Sequence, residues 1–166
     1  EQRRLISGTV GDTRVICAYM PNGQEVGCDK YDYKLRWLDG LAVWVGEEMA
    51  KYPKLALCGD YNIAPDDRDV HDPKRWADCI LVSPPERAAF QRFVSLGLSD
   101  SFRLFEQPEK TFSWWDYRAA GFRRNAGLRI DHILLTAPLA ARCVSCSIDK
   151  APRKLEDLIA EAATPE

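Results

Sequence analysis

Histidine is scarce in this sequence: 166 residues contain only His71 and His132. The single Cys-x-x-Cys, Cys143 to Cys146, therefore has no second cysteine pair and no suitably spaced imidazole, which speaks against a zinc site. Long apolar runs are missing as well. None approaches the roughly 18 residues that a membrane-crossing helix needs, and no signal peptide is legible at the start. Charge of one sign is not in surplus, the net being −2. That argues against a histone-like, charge-only DNA binder but not against an enzyme that works on nucleic acid, since its site carries carboxylates of its own. The six cysteines, at 17, 28, 58, 79, 143 and 146, follow no framework spacing, so reduced thiols in a cytoplasm are expected. Internal repeats and low-complexity segments are absent.

The length fits one domain with a real core. The runs 5–10 and 13–19, split by Gly11-Asp12, predict a hairpin. Apolar residues at Leu35, Leu38, Leu41, Ala42, Val45 and Met49 have helical spacing and predict a helix over 31–52. Residues 55–58 read as a short, fully buried strand. The stretch 64–84 reads as irregular. Ser83-Pro84-Pro85-Glu86 then starts a helix that runs to Gly97, with Ser83 as cap. Residues 98–102 read as a connector, and strands are expected at 111–115, 129–136 and 141–148. Interleaved strands and helices make the class α/β or α+β. The opening EQRRLISGTV lacks Met and already lies inside a strand-like run, so an upstream segment is expected to be missing.

Chemistry concentrates at the end of the 55–58 strand, in LCGDYNIAP. Asp60 and Asn62 are two apart, and alternation along an extended backbone sends i and i+2 to the same side. Taken alone, Gly-Asp-x-Asn is equally compatible with a turn. Three further stretches follow or interrupt buried strands: Tyr19-Met20-Pro21-Asn22-Gly23, Phe112 to Arg118, and Gly127-Leu128-Arg129-Ile130-Asp131-His132. In order and content the four resemble the exonuclease III family of the endonuclease/exonuclease/phosphatase superfamily, the class II abasic-site nucleases. The likeness runs from Gln2-Arg3-Arg4 through Lys154-Leu155-Glu156.

That resemblance implies a four-layered α/β sandwich, of which residues 1–156 would form a partial domain and 157–166 a divergent tail. It implies that Asp60 is the general base toward water and that Asn62 donates to a phosphoryl oxygen. Tyr19 would contact the scissile phosphate, and Asp131 would orient a catalytic histidine. Mg²⁺ or Mn²⁺, held with the help of Asp60 and Asn62, would stabilise the leaving oxygen. Trp114, Trp115 and Leu128 would line the pocket for a flipped, baseless sugar, while Arg3, Arg4, Arg118 and Arg129 would meet phosphates. The implied partner is double-stranded DNA with abasic sites or 3′ ends, bound by a monomer that needs the absent N-terminal segment. Structural readings stand beside each of these: Trp114-Trp115 as core, the arginines as a solvated loop, Tyr19 as a strand aromatic, Asp131 as a capped turn.

Two departures bear on function. The family's N-terminal strand-end asparagine and metal-binding glutamate have no counterpart, and no Ser-Asp-His follows Lys154-Leu155-Glu156. His132 cannot replace the histidine, because as Asp131's neighbour on a strand it points to the opposite face. A DNA-binding chain that does not cut is thus one alternative. A phosphatase of inositol lipids or sphingomyelin in the same superfamily is another.

Overall fold

The computed structural model describes residues 3–117 and 120–151. β1 (Leu5–Val10) and β2 (Thr13–Tyr19) form the expected antiparallel hairpin. Gly11, at φ 61°, takes the first central position of its two-residue turn, the place where such hairpins require glycine. The chain then crosses over through α1 (Asp29–Lys51) and returns as β3 (Leu55–Asp60), parallel to β2. After β3 come a 3₁₀ turn at Asp67–Asp69, a short α2 (Pro73–Trp76) and α3 (Pro84–Ser95). Ser83 and Glu86 form a reciprocal capping box at the start of α3, as their spacing predicts.

β4 (Leu98–Asp100), β5 (Trp114–Trp115), β6 (Gly127–Leu128) and β7 (Asp131–Thr136) complete the strands, and α4 (Ala137–Ala140) follows. The main sheet has the order β1-β2-β3-β7-β4, while β5 and β6 pair separately. The class is α/β, as expected. α1 and α3 cover one face of the main sheet, where Ile16, Leu57 and Leu134 pack with Leu38, Val45, Phe90 and Phe93. The opposite face is more open. Its row Ile6, Cys17, Cys58, Ile133 leaves Ile6 74% and Ile133 46% exposed.

Two expectations need correction. Residues 98–100, read as a connector, form β4 against β7. Residues 141–148, read as a strand, carry no regular strand: β7 already has β3 on one side and β4 on the other. The 143–148 segment is held by side chains instead, with Gln107 Nε2 donating to the Cys146 carbonyl at 3.0 Å. No described helix is long and apolar enough to cross a membrane.

Candidate active site

Register, more than sequence proximity, assembles the site. Tyr19 is the β2 partner of Asp60, and Asp60 is the β3 partner of Asp131. In-register partners share a face, so three of the expected residues form one row at one end of the open face. Arg4 extends the row, with its guanidinium 5.2 Å from the centre of the Tyr19 ring. Tyr19 is 55% exposed. Gly59 makes the close approach possible: at φ 134°, a Cβ there would lie 2.0 Å from the Ala18 carbonyl oxygen. Only glycine lets β3 press against β2 at this point.

Beyond Asp60 the chain turns sharply. Asn62 has φ 51°, a left-handed value uncommon outside glycine. The turn is tied on every side. Asn62 N donates to Asp60 Oδ1 at 2.8 Å, and its Nδ2 donates to Met20 O at 3.0 Å and to Asp60 Oδ2 at 3.3 Å. Tyr61 turns inward, where its hydroxyl donates to Leu57 O at 2.9 Å. Asp60, Asn62 and Asp131 are thus brought together. A cleft of about 600 Å³ opens beside them, lined among others by Asp60, Ser113 and Asp131.

Burial raises the Asp60 carboxyl to about 6, with the nearby Asp131 adding to the effect; the Asn62 N–H and the Lys34 ammonium oppose it. A carboxyl at that value is ionised near neutral pH yet basic enough to take a proton. His132 shows the opposite behaviour. Its Nδ1 stands 3.0 Å from Arg129 Nη1, which can only donate, so its Nε2 is the protonated nitrogen and donates to Ile63 O at 2.8 Å. Burial, reinforced by the Arg129 charge, lowers it to about 4. It is a neutral core imidazole against Tyr61 and Phe90, on the other side of β7 from Asp131.

Arg129 corrects an expectation. Read as a phosphate contact, it is 1% exposed, and Asp69 and Asp100 both grip its guanidinium. Desolvation works against the cation, but these two carboxylates outweigh it and the pKa is raised. All its donors face inward, so Arg129 ties the β6–β7 junction to β4 and to the Asp67–Asp69 turn. Of the expected pocket residues, Trp114 is half-buried; Trp115 and Leu128 are 5% and 0% exposed. Trp115 stacks edge-on against Phe122 and donates Nε1 to Asn125 Oδ1 at 3.1 Å. A cleft of about 330 Å³ beside Trp114 is lined by His71, Arg75, Trp76 and Arg124. Arg3 is exposed; Arg118 and the tail 157–166 lie outside the described residues.

Two residues of the site carry no role in the sequence pattern, although Asn22 lies in one of its four stretches. Asn22, after β2, donates Nδ2 to Asn62 Oδ1 at 3.0 Å. Lys34, on α1, donates to Asn22 O at 3.2 Å and to Asn62 O at 2.6 Å. The signal for Lys34 was its place on the apolar stripe of α1, one turn before Leu38.

The chain matches the Endonuclease/Exonuclease/phosphatase family over residues 5–160. It is 38% identical over 168 residues to exodeoxyribonuclease III of Haemophilus influenzae, a match covering 93% of this chain and 62% of the relative. Among solved structures it resembles the 3′ phosphatase NExo from Neisseria bound to a product DNA hairpin, with a TM-score of 0.91 and 42% identity over 93% of this chain and 60% of that one. An AP endonuclease from Archaeoglobus fulgidus is similar at a TM-score of 0.84 and 35% identity, over 90% of this chain and 59% of that one. The chain therefore spans about 60% of the length of these relatives.

Proposed function

We propose, since this chain belongs to the Endonuclease/Exonuclease/phosphatase family, that it carries part of the phosphodiester-cleaving machinery of an exonuclease III-type DNA nuclease. The observation that carries this reading is the single row Tyr19, Asp60, Asp131, with Asn62 bonded to Asp60. Asp60 takes the proton of the attacking water as its oxygen bonds to phosphorus, and the ester oxygen leaves. Asn62 stabilises the charge gathering on the phosphoryl oxygen, and the Nδ2 proton on the long 3.3 Å bond is the one it can redirect. The exposed Tyr19 phenol contacts the phosphate from the neighbouring strand.

Among the described residues, no group of three or more His, Cys, Asp or Glu side chains is arranged to hold a metal ion. The donors in the row are oxygens, and this suits Mg²⁺ or Mn²⁺, which take one or two carboxylates and keep several waters. Asp60, with Asn62 and Asp131 beside it, would hold such an ion, which supplies Lewis-acid stabilisation when bound. DNA with abasic sites or 3′ ends is the proposed substrate. Trp114, the aromatic and basic cleft beside it, and the exposed Arg3 would receive its backbone and unstacked sugar.

A second reading, binding DNA without cutting it, is favoured by one observation. Both histidines of this sequence are engaged elsewhere: His132 in the core, and His71 through Nδ1 to Gly127 O at 3.2 Å. Incubating the chain with an abasic-site duplex and Mg²⁺ beside Asp60→Ala separates the two. Cleavage lost in Asp60→Ala supports the nuclease; retention on the duplex without cleavage supports the second reading. Cleavage that persists in Asp60→Ala, or hydrolysis of a lipid phosphoester in place of DNA, overturns the assignment of Asp60 or of the substrate.

A further inference from the structure

We propose that Lys34 is a positioning residue: one buried ammonium fixes the two strand-end loops that carry Asn22 and Asp60-Tyr61-Asn62. The inference rests on the phosphodiesterase reading for its functional meaning, though not for its geometry.

Lys34 belongs to α1, on the helix-covered side of the sheet, and its side chain is completely buried. A lysine in that position has three protons to place, and each goes to a different part of the chain. One goes to the carbonyl of Asn22 after β2, a second to the carbonyl of Asn62 after β3, and a third to Glu86 in the first turn of α3. The other Glu86 oxygen is saturated by Ser83, accepting from its N at 3.1 Å and its hydroxyl at 2.6 Å. Tyr31 OH lies 2.7 Å from that hydroxyl. The charge is therefore anchored to rigid helices on one side and spends its remaining donors on loop carbonyls on the other.

The loop it holds needs holding. Asn62 adopts a left-handed backbone (φ 51°) that a residue with a Cβ keeps only when its surroundings over-determine it. Asp60 fixes the amide end of that residue and Lys34 the carbonyl end. The two loops are also joined directly through Asn22 Nδ2 and Asn62 Oδ1. Gly23 completes the fit, because a Cβ there would come within 3.0 Å of the Lys34 Cδ carbon. A salt bridge serving stability alone needs neither loop carbonyl.

The test compares Lys34→Met/Glu86→Met with Glu86→Gln and the unaltered chain. The double variant leaves no orphaned buried charge but removes the loop clamp; an apolar replacement of this kind is often neutral for folding. Glu86→Gln keeps the Lys34 donors to both loops; it removes the negative charge and one of the two acceptor oxygens, and so controls for loss of the ion pair and of the α3 cap. Under conditions where all are folded, amide exchange at Tyr61 and Asn62 is expected to quicken at least about tenfold in the double variant and to stay near its original rate in Glu86→Gln. The kcat for duplex cleavage is expected to fall about 10- to 100-fold with little change in KM. Unchanged exchange at Asn62 in the folded double variant overturns the inference. Absence of cleavage by the unaltered chain overturns the phosphodiesterase reading and leaves the exchange result to decide on Lys34. Should the double variant not fold, Lys34→Gln, which retains one donor for Glu86, is read by the same two measurements.

Discussion

Replacing Asp60 by asparagine should make the protein more stable at neutral pH and, on the phosphodiesterase reading proposed above, remove the base that cleavage needs. The structure holds the Asp60 carboxyl at about 6, against an ordinary 3.8, chiefly because burial disfavours its charge and Asp131 stands beside it. At about 1.36 kcal/mol per tenfold change in proton affinity, that displacement corresponds to about 3 kcal/mol of destabilisation when the group is ionised. Asp60 is only half-buried, and screening by solvent reduces the figure to about 2 kcal/mol. The variant also loses the bond from Asn62 Nδ2 to Asp60 Oδ2, worth about 1 kcal/mol, while its own Oδ1 can still accept from Asn62 N. A net gain of about 1 kcal/mol remains. The sign depends on pH. A raised carboxyl favours the folded state below 3.8, and that advantage is lost as pH rises through about 6. The benefit of Asp60→Asn should therefore be full well above pH 6 and, with the lost Asn62 bond then unopposed, turn into a loss of about 1 kcal/mol near pH 4. Urea unfolding at pH 7.5 and pH 4, for both proteins, measures it. A variant less stable than the parent at pH 7.5, or an advantage that grows on acidification, would show that burial does not disfavour the Asp60 charge.

Three further outcomes follow from other parts of the structure. Gly59→Ala places a methyl group 2.0 Å from the Ala18 carbonyl oxygen in a backbone conformation closed to alanine, so a loss of at least about 3 kcal/mol is expected; a melting temperature within two or three degrees of the parent's, on the order of 1 kcal/mol or less, would contradict it. Gly40→Ala, in the exposed middle of α1 with open space around the new methyl, should stabilise by about 0.5–1 kcal/mol in urea titration. His132 is neutral when folded, lowered to about 4, so its contribution is present above about 6.5 and is lost as pH falls toward 4. His132→Gln, able to accept from Arg129 and donate to Ile63 O, should lose about 2–3 kcal/mol less than the parent across that window; equal acid limbs would show that His132 does not titrate as its burial requires.

Elements with local signals were legible in the sequence. The β1–β2 hairpin follows from alternation broken by Gly11-Asp12, α1 from its apolar spacing, and α3 from Ser83-Pro84-Pro85-Glu86. Elements that depend on a partner were not. Whether 98–100 or 141–148 pairs with β7 is decided by which segment reaches its free edge, and no local feature encodes that. The site divides in the same way. Asp60, Asn62 and Tyr19 stand at strand ends, where their polarity after an apolar run marks them. Arg129 sits in an equally polar stretch, yet it is buried between Asp69 and Asp100, which lie 60 and 29 positions away in sequence. Lys34 was hidden for the converse reason: helical spacing assigned its face of α1 to the core, where a charge is not expected without a partner.

On the proposed reading, Tyr19, Asp60, Asn62 and Asp131 share one small space able to take a divalent ion and a phosphate. Titrating the isotope-labelled protein with substoichiometric Mn²⁺ and following paramagnetic broadening tests it without relying on turnover. Broadening that begins at these four residues and disappears in Asp60→Ala is the predicted result. Broadening centred elsewhere, or unchanged by Asp60→Ala, would contradict it.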